Sequence, residues 1–121
     1  MRKNNIRDYA TAAFAFWGRC GCPSCEEIER RCREWTKAER LDLCACALTF
    51  SLLEQKGEGE ICDAVRAVYM AELTDKVRRG DISAKVVKFS LQAFVSERQV
   101  YNWLRDACVI FAKYRNLRLE R

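Results

Sequence analysis

The sequence predicts an all-α fold, a bundle of helices in its N-terminal part and a pair of helices at its C-terminal end, the last one long. Three observations predict it. Apolar residues recur three and four positions apart, while strict alternation is scarce. Helix-start boxes stand at Ser24 with Glu27, Thr36 with Glu39 and Ser96 with Gln99. One Pro and five Gly leave few breaks, and no repeat or low-complexity tract interrupts the pattern.

The first helix runs from Ile6 to Trp17. Ile6, Tyr9, Ala10, Ala13, Phe14 and Trp17 fall on one face of a 3.6-residue period, and Gly18 and Gly21 end the helix. The second is capped by Ser24 and continues through Ile28 and Cys32. The third, Ala38 to Glu54, starts after the Thr36 box. It carries one apolar stripe of Leu41, Cys44, Leu48 and Leu52, with Leu43, Ala47 and Phe50 beside it. A helix apolar on nearly every side lies in the core or meets a partner. Residues 55–60, with Gly57 and Gly59, form a turn. The fourth helix, Glu60 to Leu73, buries Ile61, Val65, Val68 and Tyr69. A polar loop, Thr74 to Asp81, precedes the last two helices, Ile82 to Ala93 and Glu97 to Tyr114. The loop divides a bundle at 1–75 from a C-terminal unit at 76–121, and it is short enough for the two to pack as one compact domain.

Charge separates the same two parts. Residues 1–75 hold 11 Lys and Arg against 13 Asp and Glu, net −2; residues 76–121 hold 11 against 4, net +7. A localised basic face attracts a polyanion, and DNA is the commonest one. No apolar run approaches the roughly 18 residues of a membrane span, and the segment after Met1 is charged rather than a secretory apolar core. The expected setting is cytoplasmic, with no membrane partner.

The segment 90–104 then reads as a helix-turn-helix. In its first helix Ile82, Val86, Phe89, Ser90 and Ala93 share a face, and Ser90 is the small residue that lets two helices cross closely. Val95 turns inward and Ser96 caps the second helix. Val100, Trp103, Leu104, Ala107 and Phe111 form that helix's buried stripe. Arg98, Gln99, Tyr101, Asn102 and Arg105 are left facing outward near its N-terminus, where such a helix meets the major groove. Arg can pair with guanine, and Asn or Gln with adenine. Arg78, Arg79, Lys85 and Lys88 lie upstream and suit phosphates, which position without specifying. Phe94 stands where many such turns carry Gly at positive φ.

Val95-Ser96-Glu97-Arg98-x-Val100-Tyr101-x-Trp103-Leu104, with Ala107 and Phe111-Ala112 beyond, resembles the C-terminal helix-turn-helix of sigma-factor region 4. It is most similar to small sigma-like transcription regulators of phages and mobile elements. Asn5 to Ala10 and Ala64-Val65-x-Ala67-Val68-Tyr69 are similar to such proteins too. The resemblance covers residues 80–118. It implies contact with double-stranded promoter DNA, through a face that includes Ser96, and a contact with RNA polymerase. The acidic N-terminal part offers no basic, aromatic-rich segment for melting a promoter, so a complete sigma factor is not expected.

Eight cysteines without a secretory segment are expected to be reduced thiols. Cys20, Cys22, Cys25 and Cys32 crowd into 13 residues and form the one candidate zinc set. Their spacing departs from standard zinc motifs, and unliganded thiols at a helix junction are the simpler reading. Cys44 and Cys46 are looser candidates, whereas Cys62 and Cys108 lie among core positions. No cofactor is otherwise expected. The chain has no His, hence no His-based triad, and its glycines form no phosphate loop, so no enzyme is expected. The leading expectation is a sequence-specific DNA-binding transcription regulator, with the N-terminal bundle mediating homodimer formation or the polymerase contact. The alternative is a helical protein-interaction adaptor that binds no DNA, motivated by the nearly all-round apolar third helix.

Overall fold

A computed structural model describes residues 3–70 and 79–117, with side chains from 6 and from 82 onward in the two segments. The described residues form six α-helices and no strand: α1 (Lys3–Arg19), α2 (Cys25–Arg30), α3 (Lys37–Gln55), α4 (Gly59–Val65), α5 (Arg79–Ala93) and α6 (Glu97–Tyr114). A single 3₁₀ turn, Cys32–Glu34, follows α2, and a π-helical segment, Arg66–Met70, continues α4. None of these helices is long and apolar enough to cross a membrane.

The core is built around Phe14. Its ring lies 5.6 Å from Phe111 of α6, 5.9 Å from Phe50 of α3 and 6.3 Å from Tyr69 of the π-helical segment. Trp17, one turn further along α1, meets Phe50 edge-on at 4.7 Å. Such ring pairs add to what their buried area contributes. Helix α6 packs against α1, α3, α4 and α5, so the last helix is part of the core of the bundle. Helix α5 packs on the π-helical segment and on α6.

Several sequence expectations are corrected here. The first helix runs through Gly18 to Arg19. Gly18 is needed for contact: a Cβ there would sit 3.2 Å from Met70 Cγ, so its absence lets α1 approach the π-helical segment. Helix α2 stops at Arg30 and leaves Cys32 in the 3₁₀ turn. In α3 the inward face is Leu43, Ala45, Cys46, Thr49, Phe50 and Leu53, and Leu41 and Leu48 point to solvent. The rings on α1 and the π-helical segment select between two apolar stripes that periodicity alone leaves equivalent. Arg79, Gly80 and Asp81, expected in a loop, begin α5; the rest of that loop, and Ala71 to Leu73, lie outside the described residues.

The ends of four helices close in one way. After α1, α3, α5 and α6 a left-handed residue stands at the C′ position: Gly21, Gly57, Phe94 and Asn116. The following N–H reaches back five residues to a carbonyl, at 2.9, 2.9, 3.1 and 2.8 Å respectively. This is the Schellman closure, which satisfies carbonyls the helix would leave open. Gly and Asn adopt that conformation readily; Phe does not.

A polar link ties three helices together at one end. Tyr9 donates to Asp42 Oδ1 at 2.6 Å, and Arg115 Nε donates to the same oxygen at 2.7 Å. Partial burial and the Asp42 carboxylate raise the Tyr9 hydroxyl pKa, and the bond to Asp42 raises that of the Arg115 guanidinium. Arg115, counted in the basic part by sequence, is therefore engaged inside the fold.

Candidate nucleic-acid interface

The surface proposed from sequence is carried by α5, the turn after it and the first half of α6. Ser90 is buried, and its hydroxyl donates to Val87 O at 2.7 Å, which satisfies it without a partner on α6. Phe94 takes φ +58° and reverses the chain. Ser96 is extended, and its Oγ accepts from the Gln99 backbone at 3.1 Å. At Thr36 both legs of the box form, 3.1 and 2.7 Å, whereas at Ser96 only this leg forms among the described residues. Phe89 meets Trp103 edge-on, 6.5 Å between centroids, and fastens α5 to α6. Val100, Leu104, Ala107, Cys108, Phe111 and Ala112 anchor the inner face of α6, while Trp103, expected buried, is only half-buried.

The outer face of α6 is the opposite stripe. Arg98, Tyr101 and Arg105 are exposed at spacings of three and four, on one side of two helical turns. Gln99 and Asn102, expected to face outward with them, are half-buried at its border. Glu97 and Asp106 are also exposed, so the stripe is mixed in charge at its two ends. Ser96 is exposed at the helix start, Lys88 is exposed on α5 and Lys85 is half-buried. Arg79 is the first residue of α5, and Arg78 lies outside the described residues. A rigid helix with a buried inner face thus presents two guanidiniums, a phenol and an amide within about 10 Å of helix length.

Sequence reasoning missed the apolar character of the neighbouring surface. Leu91 is 71% exposed and Phe94 94% exposed, with Val87 one turn before them. The signal was present, because Val87 and Leu91 fall outside the inward set of Ile82, Val86, Phe89, Ser90 and Ala93.

The candidate zinc set is not assembled. Cys20 lies by the Trp35 indole and Arg31, Cys22 towards Arg66, and Cys25 against Cys44. The turn is held in this form by Trp17, whose indole N–H donates to Pro23 O at 2.9 Å. Among the described residues no three His, Cys, Asp or Glu side chains are placed to hold a metal ion. Burial pushes the thiols of Cys20, Cys22 and Cys44 up rather than down, the reverse of what an activated thiolate needs.

Comparison with protein-family models, with curated proteins and with solved structures finds no match for this chain.

Proposed function

We propose that the chain is a sequence-specific DNA-binding transcription regulator of the sigma region 4-like type, with α6 laid along the major groove. The observation that carries this reading is the exposed stripe Arg98, Tyr101 and Arg105, bordered by Asn102, on a capped helix whose other face is fixed in the core. In this reading Arg98 and Arg105 pair with guanines, and Asn102 and Gln99 reach adenines from the border of the stripe. Ser96, Tyr101, Lys85, Lys88, Arg78 and Arg79 contact phosphates and fix the register. The N-terminal bundle is left to contact RNA polymerase. The net +7 of residues 76–121 supports an electrostatic approach to the duplex.

Selection from random duplexes, followed by fluorescence anisotropy on the enriched sequence, tests the proposal. Binding is expected to weaken as salt rises, because neutralised phosphates release counterions. Arg98→Ala is expected to relax preference at one base pair at a cost of about 1–3 kcal/mol, and Lys88→Ala to weaken all duplexes alike and reduce the salt slope by about 1. Absence of binding to any duplex at low salt ends this reading.

The exposed Leu91 and Phe94 favour a second reading, a protein-interaction adaptor without DNA contact. It gains if the chain binds a protein partner through α5 while selection enriches no duplex.

A further inference from the structure

Two packed helices bring the thiols of Cys25 and Cys44 together. Helix α2 packs on α3, and Ile28 is the residue that α2 buries. Cys25 stands three positions before Ile28, on the same face and one turn nearer the helix start. Just past the other end of α2, Arg40 of α3 donates from Nη1 to Cys32 O at 2.9 Å. Cys44 follows Arg40 by one turn of α3, on that same side. Helix α2 therefore runs back along the Arg40–Cys44 side of α3, its end beside Arg40 and its start beside Cys44. There the Cys25 side chain meets the Cys44 thiol. Both thiols are free and half-buried, so a small reagent has access to them, whereas Cys46, Cys62 and Cys108 are buried.

We propose that Cys25 and Cys44 form a redox modification site, which a low-molecular-weight disulfide converts to an intramolecular disulfide stapling α2 to α3. A low-molecular-weight thiol reopens it. The inference does not rest on DNA binding.

The step is a pair of thiol–disulfide exchanges. Burial, with Cys25 and Glu29 nearby, keeps the Cys44 thiol neutral, so Cys25 attacks first. The Cys25 thiolate bonds to one sulfur of the reagent, the reagent's S–S bond breaks, and one small thiolate leaves. That thiolate takes the Cys44 proton. The Cys44 sulfur then attacks the Cys25 sulfur, the mixed disulfide breaks, and the second small thiolate leaves and is protonated by the proton Cys25 had given up. The protein loses two electrons and two protons, and the reagent gains them as two thiols. The closed loop, residues 25–44, holds α2, the 3₁₀ turn and the start of α3. A six-residue helix is marginal alone, so α2 depends on what it packs against, and the bond makes that hold covalent.

The test equilibrates the reduced full chain in mixtures of bis(2-hydroxyethyl) disulfide and 2-mercaptoethanol, without denaturant and again in urea. The reagent is neutral because Glu26, Glu27 and Glu29 of α2 would repel an anionic one. After acid quench and alkylation, trypsin is expected to leave residues 20–30 linked to residues 41–56, with fragmentation placing the bond at Cys25 and Cys44. Excess 2-mercaptoethanol is expected to remove the link. A cross-link closing a loop of this size restricts the unfolded chain, so the exchange constant is expected to be about a hundredfold larger in the native chain than in urea. Cys25→Ser and Cys44→Ser are each expected to abolish the link, and Cys22→Ser to keep it. The wild-type peptide map decides alone if a variant loses helix. A native chain that forms no link in the most oxidising mixture overturns the proposal. So does a bond found instead between Cys20 and Cys22 or between two chains, or an exchange constant no larger in the native chain than in urea.

Discussion

Helices α3 and α6 are of nearly equal length, 19 and 18 residues, and pack against each other, yet the sequence speaks very differently about them. In α6 the polar residues Arg98, Tyr101, Arg105 and Asp106 occupy one side, so the apolar period can point only one way. In α3 two apolar stripes compete, and both satisfy a 3.6-residue period. The difference teaches that periodicity names the buried face only when the other face is polar. Otherwise the choice belongs to the partners, here the rings of Phe14, Trp17 and Tyr69 that gather on the side of Phe50.

The comparison is broken most directly at Phe111. Its ring is fully buried and meets both Phe14 and Tyr9. Phe111→Ala is expected to cost about 3–5 kcal/mol through lost transfer energy and an unfilled cavity. A urea titration reads this as a lower midpoint with an unchanged slope. A loss under about 1 kcal/mol would mean that α6 is not held in the core as described.

The next effect separates the two stripes of α3. Leu43 is fully buried, and Leu43→Ala is expected to cost about 2–5 kcal/mol. Leu41→Ala, two residues away on the outward stripe, is expected to stay within about 0.5 kcal/mol of wild type. Equal losses would contradict the inward face drawn for α3.

These two helices also mark how far the sequence could be read. The all-α class, the Ser24, Thr36 and Ser96 caps and the limits of α6 were legible, because capping chemistry and a one-sided apolar period are local. The direction of α3 was not, for the reason given above. The link Tyr9–Asp42–Arg115 was equally hidden, since its members lie 33 and 73 positions apart and nothing local pairs them. The cysteine cluster misled in the opposite sense. Of these thiols Cys20 lies by Trp35 and Arg31, Cys22 towards Arg66 and Cys25 against Cys44, and among the described residues no three donors gather to hold a metal ion. For the candidate interface, sequence named Arg98, Tyr101 and Arg105 as outward, and the fold exposes them. It also named Gln99 and Asn102, which the fold leaves half-buried.

Alkaline pH probes the two helices together, since each buries a thiol, Cys46 on α3 and Cys108 on α6. Burial raises both above the ordinary value of 9.0, Cys108 to about 11. Cys62 of α4 is likewise raised to about 11 by burial. A thiol held neutral in the fold contributes full stability below the unfolded value and loses it as pH rises. The loss begins near 9 and for Cys108 continues to about 11, while the unfolded chain ionises and the folded chain does not. By about pH 10 each fully buried thiol is expected to have lowered stability by about 1 kcal/mol. Urea midpoints at neutral and alkaline pH check this, and Cys108→Ala should flatten the dependence. A midpoint that stays level would show the thiols open to water.

The starts of the two helices differ in strength. Thr36 and Glu39 bond reciprocally before α3, whereas Ser96 contributes one bond before α6. Thr36→Ala and Ser96→Ala each remove one hydroxyl acceptor and are each expected to cost about 0.5–2 kcal/mol, whereas the second leg, donated by the Thr36 backbone N–H, is removed by Glu39→Ala at about 0.5–1 kcal/mol. Thermal or urea unfolding of these variants, with Ser24→Ala as a further cap, checks this; a Glu39→Ala variant as stable as wild type would mean that the second leg at Thr36 contributes nothing.

The smallest effect lies in how the chain reaches each cap. Before α3, Trp35 is extended, with φ −135° and ψ 154°, a conformation any residue adopts. Before α6, Phe94 is held at φ +58° with its ring almost wholly in solvent. The left-handed backbone costs a non-glycine residue about 1–2 kcal/mol, and a ring 94% exposed buries too little to offset it. Phe94→Gly removes the strain but loosens the unfolded chain, so the net expectation is a gain of about 0.5–1 kcal/mol. Trp35→Gly, where no such strain exists, is expected to lose stability, since the Trp35 ring packs against the core and under the Arg31 guanidinium at 4.7 Å. A destabilised Phe94→Gly monomer would mean that the exposed ring makes a contact within the chain. A stabilised one leaves the ring's presence at a strained turn to be accounted for by what it meets outside the chain.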